Sequence, residues 1–285
     1  MSKPFPRVDV AGVSASRIII GTNWLLGYSH TGGAADEMIR ARYPDSESLY
    51  PVLEAYLSCG IDTIMGAVSQ NRRLAGAIDH ARQKSGQSIV IVDTPILNIE
   101  DTSAGRAEAR AVIAQSAKLG ASFCLLQHSC AEQLVNKRTQ TIERIGDYTG
   151  MIREAGLIPG LTAHMPELIL FADQNGYDIQ TYATMYNCLG FMMQVEVEYI
   201  ASIIHHAKKP VMTFKSMAAG RCTPYVGLNF TWSTIRDRDM IVAGCHTPGE
   251  VREVVEISNA AFERRFPDIG MRSSPDLNQA VLRHD

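Results

Sequence analysis

The sequence has little of what marks a disordered, fibrous or membrane protein. Of its 285 residues, 46% are hydrophobic and 20% are charged, and no apolar run reaches the roughly 18 residues that a membrane span needs. Lysine and arginine number 27 against 30 aspartates and glutamates, so there is no excess of positive charge for nucleic acid or an anionic membrane. We therefore expect a globular protein whose partner is a small-molecule substrate, with no nucleic-acid or membrane partner.

The cysteines show no metal or redox spacing. None of the six forms a C-x-x-C pair, which excludes the usual structural zinc and thioredoxin-type sites. The N-terminal segment MSKPFPRVDVAGVSASR lacks the apolar core of roughly 7–15 residues that a secretory signal carries. We expect a cytoplasmic protein with reduced thiols. The sequence leaves open whether the chain forms a homo-oligomer.

One pattern repeats along the chain: a short apolar, β-branched run, then polar residues, then an amphipathic stretch that often ends at glycine. Eight such runs predict strands, at Arg17–Gly21, Ile61–Met65, Ser88–Val92, Ser122–Gln127, Ile158–Leu161, Asp178–Met185, Pro210–Phe214 and Met240–Ala243. Alternating strands and helices are typical of a parallel sheet. Eight units favour an α/β fold, a closed (β/α)8 TIM barrel, as a single domain over 1–285. A doubly wound open sheet is the alternative, but no G-x-G-x-x-G turn follows the first strand.

Local signals predict how some elements begin. The segment HTPGE predicts a helix start, with Thr247 as the N-cap, Pro248 at the first helical position and Glu250 completing a capping box. Residues 1–16 predict a strand or hairpin before the barrel, and residues 265–285 predict a polar tail.

Polar residues at the predicted strand ends are the candidate catalytic groups, because the active site of such a barrel forms where the carboxyl ends of the strands meet. Four candidates are Asp62, Asp93, His128 and His164. Asp62 lies within an apolar run, so its burial would require a partner. Lys215 follows strand seven, and is either an anchor for an anion or a lysine whose pKa is lowered by desolvation.

The ends of strands three to five also predict a metal site. Asp93, His128 and His164 would end consecutive strands on one side of the mouth. Two imidazoles and a carboxylate with open positions suit Zn²⁺, Mn²⁺ or Fe²⁺, and such an ion could polarise a carbonyl or activate a water. Without a metal, the same groups could act as an acid–base pair that abstracts a proton next to a carbonyl.

The last two strands predict an anion site. Gly244 precedes the capped helix, whose free amides and dipole would face the mouth. Lys215, Arg221 and Arg252 are placed to help bind a phosphate, either of a substrate or of a cofactor. Loops after the seventh and eighth strands often bind phosphate in barrels of this kind.

Four segments resemble the aldo-keto reductase superfamily: GIDTIMGAVSQNRRLAGAI, FCLLQHS, GLTAHMPELILFADQNGYDIQTYATMYNCL, and KPVMTFKSMAAGR followed by MIVAGCHTPGEVREVV. Together they cover roughly residues 15–260. The resemblance implies a barrel that reduces carbonyls with NADPH by means of an Asp, Tyr, Lys and His set, in which the Tyr is the general acid.

Matched to the family, this chain keeps only half of that set. Asp62 matches the family's Asp and His128 its His, whereas Ala67 stands at the Tyr position and Asp93 at that of the Lys. Alanine cannot donate a proton, and general acid catalysis contributes about 10²–10⁴-fold. Phe214 falls where the family stacks an aromatic ring on the nicotinamide.

Three functions therefore stay open. The favoured one is an enzyme that acts on a small polar carbonyl or sugar-like substrate by acid–base chemistry, as an isomerase, epimerase or lyase, with or without a divalent metal. The second is an NAD(P)H-dependent reductase whose proton donor has moved, for example to Tyr28 or Tyr186. The third is a non-catalytic barrel that binds a ligand or a partner subunit.

Overall fold

Eight parallel strands form the centre of the structure, a computed structural model that describes residues 4–270. Before them comes an antiparallel hairpin of β1 (Arg7–Val10) and β2 (Val13–Ser16). The barrel strands are β3 (Ile18–Gly21), β4 (Thr63–Gly66), β5 (Val90–Asp93), β6 (Phe123–Leu126), β9 (Ile158–Ala163), β10 (Tyr182–Met185), β11 (Val211–Phe214) and β12 (Met240–Ala243). Each pairs with the next along the chain, and β12 pairs with β3 to close the ring. This confirms the predicted (β/α)8 barrel and excludes the open sheet.

Helices follow the strands around the outside of the barrel. They are α1 (Asn23–Leu26), α2 (Gly33–Arg42), α3 (Tyr50–Ser58), α4 (Arg72–Ser85), α5 (Ser103–Lys118), α6 (His128–Ala131), α7 (Ile145–Glu154), α8 (Glu167–Asn175), α9 (Val197–His206), α10 (Pro224–Thr234) and α11 (Pro248–Glu263). A second short hairpin, β7 (Val135–Asn136) with β8 (Thr141–Ile142), precedes α7. Within residues 4–270, no helix combines the length and the apolar character that crossing a membrane requires.

The start of α11 confirms most of the predicted capping box. Thr247 is the N-cap, and its Oγ1 accepts a hydrogen bond from the Glu250 amide at 3.1 Å. The Glu250 carboxylate, however, accepts from the amide of His246 at 2.9 Å, one residue before the N-cap. The predicted N-terminal hairpin is present at residues 7–16. The tail predicted for 265–285 lies outside the described residues from 271 onward.

Successive residues of each barrel strand face two different cores, because side chains alternate across a strand. The inner core fills the barrel and includes Ile19, Val92, Phe123, Leu125 and Met212. The outer core lies between strands and helices and includes Ile18, Ile20, Ile91, Cys124 and Leu126. This alternation decides which residue at each strand end faces the mouth.

Candidate functional site

A cavity of about 630 Å³ opens at the carboxyl ends of the barrel strands. The connections after β3, β4, β5, β6, β9, β11 and β12 all contribute to its lining. Its wall includes the apolar ring of Phe214 and the polar side chains of Thr162, Gln127 and Lys215. A concave site with a few convergent polar groups is the usual form of a small-molecule site.

Two histidines that are 36 residues apart in sequence meet in this cavity. The rings of His128 and His164 stack with centroids 3.7 Å apart and planes 24° apart. His128 is the first residue of α6, and His164 directly follows β9. Thr162, two residues before His164, also lines the cavity, as the alternation along β9 requires. The structure places both histidines at the mouth, on the same side, where the sequence predicted them.

Both imidazoles have a pKa below the ordinary value of 6.5, which favours the neutral form near pH 7. Burial, followed by the nearby His128 and Lys215, lowers the pKa of His164 from 6.5 to about 4. Burial also lowers the pKa of His128, although Glu132 opposes the shift. Stacked rings cannot both carry positive charge without repulsion. Each neutral ring therefore has one nitrogen that donates and one that accepts a hydrogen bond.

Glu132 positions this histidine pair and was not among the predicted site residues. Its Oε1 accepts hydrogen bonds from the backbone amides of His164 at 2.6 Å and Met165 at 2.8 Å. It lies four residues after His128, a spacing that places both on one side of a helical turn. That spacing is the one sequence signal that could have drawn attention to it.

Lys215 also lines the mouth, directly after β11. Its backbone has φ of +63°, a left-handed conformation that is costly for a residue with a side chain. Its Nζ lies 3.0 Å from the Sδ of Met192. Burial lowers the pKa of the Lys215 amine, and the adjacent Arg221 guanidinium lowers it further.

The loop after Lys215 makes contacts across the mouth. Arg221 donates to the carbonyl of His30 at 3.2 Å, and its guanidinium lies 3.8 Å from the ring centroid of Phe191. Ser216 also lines the cavity, is 2% exposed, and has a hydroxyl without a hydrogen-bond partner among the described residues. An orphaned buried hydroxyl is costly unless a ligand or water satisfies it.

Asp62 does not lie at the mouth, and its predicted placement there is wrong. The strand predicted from Ile61 begins at Thr63, so Asp62 precedes it at the amino end of the barrel. Its Oδ1 pairs with Arg7 Nη1 at 2.8 Å, and Arg7 belongs to the hairpin, whose Val10 packs with the inner core. The carboxylate therefore links the hairpin to the barrel.

The predicted metal site does not form. Val92 faces the inner core, so Asp93 faces outward, where its Oδ2 accepts a hydrogen bond from Ser116 of α5 at 2.5 Å. The carboxylate is 1% exposed and lies outside the cavity wall. Without it, His128 and His164 lack a third ligand. No three His, Cys, Asp or Glu side chains come together in a metal-binding group within residues 4–270.

Near α11 the cavity wall does not fit the negatively charged phosphates of a nicotinamide dinucleotide, although Lys215 and Arg221, both predicted to bind phosphate, line the cavity. Gly244 lines the cavity as predicted, but Arg252 is exposed and lies outside its lining. Glu250 and Glu253 line it instead, because residues three apart share a helix face and residues two apart do not. The Glu250 carboxylate accepts from the His246 amide and brings negative charge to this end.

Neither tyrosine offered as a relocated proton donor reaches the cavity. Tyr28 is 56% exposed and lies outside the lining. Tyr186 is 1% exposed, and its hydroxyl is hydrogen-bonded to Thr234 of α10 at 3.0 Å. Ala67 lines the cavity. In the described part of the chain, the proton-transfer groups that line the mouth are histidines, glutamates, cysteines and a lysine, without a tyrosine.

Comparison with known proteins supports the fold. No protein-family model and no curated protein sequence matches the chain. A solved structure provisionally assigned to the aldo-keto reductases, from Pseudomonas aeruginosa, is 16% identical with a TM-score of 0.63, over 90% of this chain and 95% of that one. Aldose reductase from Giardia lamblia is 12% identical with a TM-score of 0.54, over 94% and 90% of the two chains.

A third similar structure belongs to a different class of enzyme. A truncated 3-deoxy-D-arabino-heptulosonate 7-phosphate synthase from Thermotoga maritima is 12% identical with a TM-score of 0.52, over 92% of each chain. At these identities the likeness shows the barrel and not the reaction, because one barrel fold supports many chemistries. The reaction depends on the residues of the site.

Proposed function

We propose that the protein is an enzyme that transfers protons on a small polar carbonyl or sugar-like substrate, as an isomerase, epimerase or lyase. The observation that carries the proposal is the stacked pair of His128 and His164, 3.7 Å apart in the cavity. Neutral imidazole can both accept and donate a proton near pH 7. The pair lies near Lys215, whose amine can donate a hydrogen bond to an oxygen that becomes negative during such a reaction.

The two histidines have different roles in this proposal. His128, beside Glu132, acts as the base that takes the proton from the carbon next to the carbonyl. His164, whose pKa is about 4, stays neutral and donates an N–H hydrogen bond to the carbonyl oxygen. This division follows from the Glu132 carboxylate, which stabilises a positive charge on His128 when the proton arrives.

Proton exchange into solvent deuterium tests the proposal. We would incubate the protein in D₂O with pyruvate, dihydroxyacetone or glyceraldehyde and follow loss of the C–H signals next to the carbonyl by NMR. His128→Ala is expected to reduce exchange by about 10²-fold, the scale of a lost acid–base group, with little change in melting temperature. His205→Ala is the control, because His205 lies exposed on α9. Unchanged exchange in His128→Ala would refute the assignment.

Carbonyl reduction with NAD(P)H is the second candidate. Phe214 favours it, because its ring flanks the cavity 5.9 Å from the ring of His164, and the fold is similar to that of aldo-keto reductases. We place it second because Glu250 and Glu253 line the end where a phosphate would bind. Calorimetry with NADPH and NADH tests it: micromolar binding supports a reductase, and the absence of heat in a protein that catalyses exchange eliminates it.

A further inference from the structure

We infer that Lys215 forms an imine with the carbonyl carbon of the substrate, so that the reaction proceeds through a covalent enzyme–substrate intermediate. The inference rests on the proposed function, since it concerns the same cavity and the same carbonyl class. The imine gives Lys215 the role of nucleophile, in addition to the proton-transfer groups of the site. Three observations support it: the contacts of the amine, the backbone that presents it, and the groups around it.

The amine of Lys215 has no carboxylate partner. Among the ion pairs of residues 4–270, none includes Lys215. Its only hydrogen-bond contact there is with the thioether of Met192 at 3.0 Å, and a thioether is a neutral, weak acceptor. By contrast, Lys137 pairs with Glu167 at 3.3 Å. A lysine kept in a cavity without a counter-ion is suited to react with a ligand.

The backbone around the amine is strained. Lys215, Ala218 and Ala219 have φ of +63°, +48° and +53°, a left-handed region that costs about 1–2 kcal/mol for residues other than glycine. Such strain clusters at functional sites. Next to Lys215, the buried hydroxyl of Ser216 has no partner in the described chain. This second, independent observation is a buried polar atom, on the residue next to Lys215, that the described chain leaves unsatisfied.

The surroundings lower the pKa of the amine and so increase its neutral, nucleophilic fraction. Lys215 is half-buried, and the nearest cation, Arg221, adds to the effect of burial on its pKa. Desolvation together with a neighbouring cation is a known way to activate a lysine. Lys215 is close enough to lower the pKa of both His128 and His164. Proton carriers therefore lie near the place where the carbonyl would be attacked.

The chemistry balances with these groups and water. The nitrogen lone pair of Lys215 forms a bond to the carbonyl carbon while the C–O π electrons move to oxygen. An imidazole carries a proton from nitrogen to that oxygen, which gives a carbinolamine. A second proton, taken from solvent through an imidazolium, lets the hydroxyl leave as water and leaves a protonated imine. The imine then accepts the electron pair of the adjacent C–H or C–C bond, and water reverses the attachment after the reaction.

Borohydride trapping tests the inference on the full chain. The protein is incubated with pyruvate, dihydroxyacetone or glyceraldehyde, reduced with sodium borohydride, and analysed by intact mass and peptide mapping. We expect one adduct, of the probe's mass less one oxygen, on the peptide that holds Lys215. It should exceed labelling of any other lysine, because burial and Arg221 lower the pKa of this amine and so raise its neutral fraction. Lys215→Arg should lose the adduct. Lys137→Arg should keep it, because Lys137 lies in an exposed ion pair with Glu167.

The outcomes separate the imine from the proposed function. Labelling spread evenly over the lysines, or equal in Lys215→Arg, overturns the imine. If proton exchange then still depends on His128, the proposed function stands without it. An adduct at Lys215 together with exchange that His128→Ala leaves unchanged supports the imine and refutes the histidine roles. Mapping of the wild-type protein identifies the labelled lysine even if Lys215→Arg fails to fold.

Discussion

The half-buried His164 makes the stability of the protein depend on pH in a calculable way. Its pKa in the folded protein is about 4, against 6.5 without the surrounding structure. Above pH 6.5 both states are neutral at this residue, and it has no effect. Below pH 6.5 the unfolded chain binds a proton that the folded protein does not, so the free energy of unfolding falls as pH falls towards 4. At pH 5 this difference amounts to at most about 2 kcal/mol, because solvent screens a half-buried ring.

The variant His164→Phe removes the titration and keeps a ring against His128 and Phe214. Urea denaturation at pH 7 and pH 5 gives the free energy of unfolding of each protein. We expect the wild type to lose up to about 2 kcal/mol more than the variant between the two values, because the variant lacks the imidazole whose pKa folding lowers. Any change in packing caused by the phenylalanine cancels in this double difference.

His205→Phe is the matched control, since this histidine is exposed on α9. It should lose as much stability as the wild type on acidification. If wild type and His164→Phe lose the same amount between pH 7 and pH 5, the pKa of His164 is not depressed. The neutral stacked pair, and the acid–base roles derived from it, would then be wrong.

Two further predictions concern residues outside the proton-transfer pair. Asp62→Asn should keep full proton exchange and lose at most about 1 kcal/mol of unfolding free energy, because the pair with Arg7 is partly exposed and far from the mouth. An exchange assay and a urea titration check this. A large loss of exchange would place Asp62 in the site after all. Thr247→Ala should cost about 1 kcal/mol by removing the N-cap of α11, measured as a lower denaturation midpoint, whereas Thr247→Ser should restore it.

The barrel could be predicted from the sequence because its signals are local. Short β-branched runs followed by amphipathic stretches specify a strand or helix over a few residues, and eight of them leave few closed parallel arrangements. The strand at Met240–Ala243 has the predicted bounds. The start of α11 is likewise set by residues within one turn, Thr247, Pro248 and Glu250. It therefore follows from the local sequence alone.

Which side chains form the site depended on where each strand ends and on which way its side chains point. Local sequence patterns specify neither. A shift of one residue reverses the face of a strand side chain. Asp93 is next to an inward-facing Val92 and therefore points at α5 instead of the mouth. Asp62 lies before the first paired residue of β4, so it belongs to the other end of the barrel.

The contact between His128 and His164 was decided by the tertiary structure. The sequence predicts that each follows a strand, but the two are separated by the hairpin of β7 and β8 and by α7. Only the pairing of β6 with β9 brings the two strand ends side by side and lets the rings stack at 3.7 Å. The lowered pKa of each follows from that burial, because desolvation and neighbouring positive charge exist only once the barrel has closed.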